Sequence, residues 1–354
     1  MPTCRRAGLV AALAAAPFAL ALRFALVYRV RAGYPRPHPP VVTPDAVGLP
    51  YEPIVVPTPD GRALPGWFIP ARGGAPGPGV ALIHGWESAR DRTLPNALFL
   101  HAAGFYCLTI DVRGHGTNPR EELPLSAGEF GVDALAAFRA LAARPEVTSG
   151  AILGHSMGSV GATLAAAADA DVRALVATAT PADPYRLTRL TFRLARLPLP
   201  DPIAYPLAWL TTHVYLRPRR HRIADTSAAR ALERYRGPVL LVHGELDEVV
   251  PVAHVHRLER AALKSRPAEG VRVLVLEEGR HSWLYESPLY RRTVASFLAE
   301  ELGGPLSPAE AGAAAEAVLA TRLPDIEPGF AAVEAEPGGV RTLAGIARPG
   351  ALDP

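Results

Sequence analysis

The 354-residue chain is long enough for one large α/β domain with sequence left over at both ends. Its 49% apolar and 20% charged residues are those of a globular protein and argue against disorder as the default. The net charge of +3 is carried almost wholly by arginine, Lys264 being the sole lysine. No basic stripe is interleaved with aromatics, so a nucleic-acid partner is not expected. Of the two cysteines, Cys4 precedes an apolar leader and Cys107 falls in a predicted core strand. That pair makes neither a disulfide framework nor a metal-ligand set.

Residues 7–28 are apolar apart from Arg23, and Arg5 and Arg6 precede them. At about 1.5 Å per residue such a helix would reach across a bilayer of about 30 Å. A signal anchor in residues 1–32 is the favoured reading, which would make the membrane a partner and the protein membrane-associated. A cleaved signal peptide, with Ala19-Leu20-Ala21 as the cleavage site and a secreted product, is one alternative, and a leading helix outside any membrane is the other. Arginines flank the segment on both sides, leaving the membrane orientation open. Residues 33–50 are rich in proline and lack a helical period, so a stiff extended linker is expected there.

From residue 51 the pattern turns to strands and helices in alternation. Residues 51–57 and 62–70 flank an Asp60-Gly61 turn signal and predict an antiparallel hairpin. A wholly apolar run at 79–84 that ends in His-Gly has the form of a buried parallel strand, 150–154 is another, and strands are also predicted at 105–111, 172–178, 238–243 and 271–276. Helical spacing is found at 93–103, 127–143, 157–168, 252–263 and 289–300. The expected fold class is therefore α/β: a mostly parallel sheet with an antiparallel N-terminal hairpin and helices on both faces. Residues 181–236 interrupt the alternation where a small helical cap would cover the carboxyl edge of the sheet, giving a domain over 51–302. Residues 303–354 shift to Ala, Pro, Gly and Glu and read as a weakly ordered tail, helical only over 308–322.

Gly154-His155-Ser156-Met157-Gly158 sits between an apolar strand and a small-residue helix. Glycines on either side of Ser156 permit a sharp turn that presents its hydroxyl. A serine hydroxyl is a weak nucleophile at its free pKa and needs a base, itself oriented by a third group. Asp247 lies just past the strand at 238–243 and is the favoured acid, with Glu245 and Glu248 as neighbouring competitors. His281 follows the strand at 271–276 and is the favoured base over His254 and His256, which fall on the helix after the acid loop. The oxyanion of a tetrahedral intermediate needs preorganised donors. The N–H of Met157, at a helix start, is one candidate, and that of Trp86, after His84-Gly85, is the other.

With His84-Gly85-Trp86, Asp111-Val112-Arg113-Gly114-His115-Gly116, Gly154-His155-Ser156-Met157-Gly158, the segment from His243-Gly244 to Pro251, and Gly279-Arg280-His281, the chain resembles the α/β-hydrolase superfamily over residues 50–302. It is similar to the small-cap branch of monoacylglycerol-lipase-like esterases and serine aminopeptidase-like hydrolases. The resemblance implies the α/β-hydrolase fold, a Ser156–His281–Asp247 triad and an acyl-enzyme mechanism. It also implies a turn-holding rather than catalytic His115. Thr117-Asn118 departs from relatives that carry a serine there. The expected activity is hydrolysis of an ester, thioester or amide, with a carboxylesterase or lipase-like enzyme favoured. A serine aminopeptidase-like amidase, an acyltransferase and a non-catalytic, membrane-tethered binding protein are the alternatives. No metal or organic cofactor is expected, and the expected partner is a small-molecule or lipid-like acyl substrate.

Overall fold

The computed structural model describes residues 2–319. In chain order the elements are α1 (Pro2–Ala32), β1 (Glu52–Pro57), β2 (Ala63–Ile69), β3 (Gly77–Ile83), α2 (Leu94–Ala102), β4 (Tyr106–Ile110) and α3 (Ala127–Ala142). They continue with β5 (Val147–His155), α4 (Met157–Ala168), β6 (Val172–Thr178), α5 (Pro184–Leu194), α6 (Asp201–Leu216) and α7 (Ala228–Leu232). The chain then runs through β7 (Val239–Gly244), α8 (Ala253–Ala262), β8 (Val271–Leu276), α9 (Pro288–Leu302) and α10 (Pro308–Ala317).

The strands form one sheet in the order β1-β2-β4-β3-β5-β6-β7-β8. β1 pairs antiparallel with β2 and β2 with β4, and every later pairing is parallel. Successive side chains of a strand point to opposite faces, so β3 divides its apolar residues between two cores. Ala81 and Ile83 join Ile110, Ile152, Phe130, Phe138 and Val160 on one face. Val80 and Leu82 join Cys107, Leu153, Phe99, Tyr290 and Phe297 on the other. Burial on both faces is why the central strands read as unbroken apolar runs. Parallel strands joined by right-handed crossovers bring the carboxyl ends of β3, β5, β7 and β8 to one edge.

Helix ends follow local chemistry. Ser126 and Glu129 make a reciprocal capping box at the start of α3, and Ser307 and Glu310 make another at α10. Ala311 and Ala315 of α10 are buried in the same core as α9. The sequence reading of the tail beyond residue 319 lies outside the described residues. Between α1 and β1, Val41 and Val42 donate their backbone N–H groups to Asp91, and Leu49 is buried.

The expectation of an N-terminal membrane anchor is corrected. Among the described residues, no helix is long and apolar enough to cross a membrane. The last turns of that apolar run pack on protein, while Phe18, Leu20 and Leu22 before them are exposed. Ala25 is fully buried, the Phe24 ring meets Phe192 of α5 edge-on at 5.2 Å, and Tyr28 lies between Phe192 and Tyr215 of α6. The Ala19-Leu20-Ala21 stretch considered for cleavage is mid-helix in α1. Apolar side chains need removal from water, and hydropathy does not specify what removes them.

Candidate active site

Ser156 occupies the one-residue corner between β5 and α4, at φ 53° and ψ −119°. A non-glycine residue in that region is strained and persists only where its surroundings over-determine it. Here its N–H donates to the Thr178 carbonyl of β6 at 2.9 Å, and α4 begins at once. The flanking glycines are there for close approach. A Cβ on Gly154 would lie 2.5 Å from the Gly158 carbonyl oxygen, and one on Gly158 would lie 2.2 Å from that of His84. Both obstacles are backbone, so the corner would have to open. Gly158→Ala is therefore expected to destabilise the fold by about 3 kcal/mol or more, as overpacking against rigid neighbours does. Chemical denaturation of the purified variant checks this.

The structure brings Ser156, His281 and Asp247 into one chain of contacts. His281 Nε2 is 3.0 Å from Ser156 Oγ, and His281 Nδ1 is 2.8 Å from Asp247 Oδ2. Asp247 and His281 are buried, at 4% and 2% exposure, so their attraction is little screened by water. Asp247 Oδ1 accepts the backbone N–H groups of Val249 and Val250 at 2.9 and 2.7 Å. Burial alone would raise the Asp247 pKa, but His281 and His243 outweigh it and hold the carboxyl well below the usual range. The acid is therefore ionised at neutral pH. Its competitors Glu245 and Glu248 are exposed. The passed-over histidines are engaged elsewhere: His254 Nδ1 accepts the Ala182 N–H, and exposed His256 faces Glu259.

His243 was not among the sequence candidates. It is the last residue but one of β7, fully buried, with Nε2 2.6 Å from the Val250 carbonyl and 3.3 Å from Asp247 Oδ2. Donation to that carbonyl puts the proton on Nε2, which leaves a positive edge beside the carboxylate. The available signal was positional: β7 ends in His-Gly, as the sequence after β3 does.

Trp86, Ser156 and Met157 line the same cavity. Met157 opens α4, where free N–H groups and the helix dipole favour negative charge. The Trp86 loop is fixed from beneath. Val112 N–H donates to His84 Nε2 at 3.0 Å, so the His84 proton sits on Nδ1, 2.7 Å from the Gly85 carbonyl. Burial depresses the His84 pKa and keeps the ring neutral. The Trp86 indole stacks on Phe130 and meets His115 edge-on. His115 Nδ1 is 2.9 Å from the Arg113 carbonyl, and burial pushes its pKa down to about 3. Arg113 in turn pairs with buried Asp133 of α3 and with Asp60 of the first hairpin.

Two cavities meet at Ser156 and Trp86. One is lined by Glu87, Arg92, Asn96, His155 and His281 together with Trp283 and Tyr285, a mixture of polar and apolar groups. The other runs beneath the helices between β6 and β7 and is lined by Met157, Val160, Leu187, Leu216, Val249 and Val250. His155 presents its ring 5.1 Å from that of His281. Burial lowers the pKa of His155 to about 3, so it adds no positive charge beside His281 at neutral pH. Among the described residues, no group of three or more His, Cys, Asp or Glu side chains is placed to hold a metal ion.

Comparison with known proteins follows the same outline. The sequence profile of the alpha/beta hydrolase family matches residues 80–291. An uncharacterized protein of Mycobacterium tuberculosis is 30% identical over 218 residues, which are 60% of this chain and 68% of that protein. Among solved structures, the Pyrococcus furiosus esterase Pf2001 superposes with a TM-score of 0.60 at 21% identity, over 76% of this chain and 97% of the esterase. The Pyrococcus horikoshii acylaminoacyl peptidase does so with a TM-score of 0.53 at 18% identity, over 73% of this chain and 43% of the peptidase. Likeness at that level of identity is likeness of fold.

Proposed function

The chain belongs to the alpha/beta hydrolase family, and on that premise we propose that it is a serine esterase of the carboxylesterase or lipase-like kind, acting through an acyl-enzyme on Ser156. The observation that carries the reading is the unbroken contact chain from Ser156 Oγ through His281 to Asp247, where two cavities meet.

In the first half-reaction Ser156 Oγ attacks the ester carbonyl while His281 Nε2 accepts the hydroxyl proton. The carbonyl oxygen becomes an oxyanion held by the N–H groups of Trp86 and Met157. Collapse breaks the ester C–O bond, and His281 returns the proton to the leaving alkoxide. Water then attacks the acyl-enzyme with His281 again as base, and the acid leaves as Ser156 recovers its proton. Asp247 fixes the His281 tautomer and stabilises the imidazolium without taking the proton itself. No step calls on a metal or an organic cofactor.

The two chambers divide the substrate. The leaving oxygen must receive its proton from His281, which lines the first chamber and not the second, so the alcohol portion belongs there. The acyl portion then extends under the cap, into the chamber lined by Met157, Val160 and Leu187. An apolar acyl chain fits the second chamber, whose lining is mostly apolar.

Assay of p-nitrophenyl esters from acetate to palmitate beside aminoacyl arylamides tests the reading. Turnover of esters in preference to arylamides is expected. A preference for arylamides over every ester overturns the esterase assignment and leaves the nucleophile in place.

A further inference from the structure

We infer that the N-terminal helix α1 forms the far wall of the acyl chamber, and that Tyr28 sets the size of acyl group the chamber accepts. The inference rests on the esterase reading above. Its evidence is separate, because this wall lies in sequence before residues 80–291 and is no part of the hydrolase family match.

The chamber beneath the cap is lined by residues of α5 and α6, and Tyr28 and Ala32 of α1 complete it. Ser156 lines the same chamber. Acyl chains attached to Ser156 therefore grow toward a surface supplied by a helix more than a hundred residues away in sequence.

Tyr28 is held as a wall should be. Its hydroxyl lies 3.1 Å from Thr191 Oγ1 of α5, and its ring meets Phe192 and Tyr215 edge-on at 6.1 and 6.2 Å. With the hydroxyl engaged by Thr191, what the residue adds to the chamber is chiefly aromatic surface, suited to an alkyl or aryl end rather than a charged one. The end of α1 is fastened in its turn. Tyr215 donates its hydroxyl to the carbonyls of Ala32 and Leu125, and Leu125 N–H donates to Gly33 at 2.8 Å. A wall fastened at this many points does not yield to a longer chain without cost, and so it discriminates by length.

Two substitutions push the chamber in opposite directions. Tyr28→Ala removes the ring and lengthens the chamber, and Ala32→Leu fills it. The readout is the ratio of kcat/KM for p-nitrophenyl decanoate to that for the butyrate. The ratio is expected to rise about tenfold in Tyr28→Ala and to fall about tenfold in Ala32→Leu, in keeping with the selectivity that a few methylenes confer in an apolar pocket. Tyr28→Phe, which keeps the ring and loses the Thr191 contact, is expected to hold the parent ratio. Should Tyr28→Ala not fold, Ala32→Leu still decides, because its shift has the opposite sign from that of a loosened chamber.

A parent-like ratio in both Tyr28→Ala and Ala32→Leu, with hydrolysis still dependent on Ser156, overturns the inference and spares the esterase reading. Undiminished hydrolysis by Ser156→Ala overturns both.

Discussion

Replacing Ser156 by alanine is expected to lower kcat for an activated ester by roughly 10⁶, the scale on which loss of a serine nucleophile has been felt in other hydrolases. What survives is expected to come from substrate binding and from the proposed N–H donors of Met157 and Trp86, which the substitution leaves in place. The variant is also expected to fold as the parent does. Ser156 already carries a Cβ at φ 53°, so alanine inherits the same backbone strain and adds none. A melting transition matching the parent, together with stopped-time assays at high enzyme concentration, separates lost chemistry from lost structure. A kcat within tenfold of the parent would exclude Ser156 as the nucleophile.

Asp247→Asn is expected to cost roughly 10⁴ in kcat at neutral pH, from a change of one atom. The reason is local. Val249 and Val250 both donate to the Oδ1 position, at 2.9 and 2.7 Å, and only an oxygen satisfies them. The asparagine carbonyl is therefore pinned there, and the amide NH₂ takes the Oδ2 position, 2.8 Å from His281 Nδ1. An NH₂ donor facing Nδ1 stabilises the tautomer with its proton on Nε2, which cannot then accept the Ser156 hydroxyl proton. The same NH₂ also opposes the N–H edge of His243, 3.3 Å away. Ester hydrolysis across pH 6 to 9 measures the loss, and a decrease of less than tenfold at neutral pH would remove Asp247 from the orienting role.

The parts of the account legible in the sequence are those in which a local pattern carries the physics. A strand buried on both faces has to be continuously apolar, so β3, β5 and β7 announce themselves, although β5 begins at Val147 rather than at Gly150. The corner at Ser156 needs glycine on both sides for reasons of backbone contact, and that need is written as G-x-S-x-G. Asp247 and His281 each follow a strand, which puts them on the same edge once the strands are known to be parallel.

What was not legible depends on contacts between distant segments. The apolar leader has the same composition whether lipid or protein covers it, and its partners Phe192, Thr191 and Tyr215 lie more than 160 residues along the chain. Hydropathy therefore pointed to a membrane, whereas Phe24 and Tyr28 at the end of the segment pack on α5 and α6. His243 was missed for a related reason. A buried histidine at a strand end is ordinary until the carboxylate of Asp247 is seen 3.3 Å from it. The proposed division of the substrate between two chambers was equally out of reach, because it depends on which cavity His281 lines.

The measurement that bears most directly on the central claim is covalent labelling with a fluorophosphonate, followed by peptide mass spectrometry. The reagent reacts with a serine activated by a neighbouring base, so it reports the nucleophile without any assumption about substrate. One adduct per chain is predicted, on the peptide containing Gly154-His155-Ser156-Met157-Gly158, with none on the Ser156→Ala protein. Equal labelling of that variant, or an adduct mapped to another serine, would contradict the account.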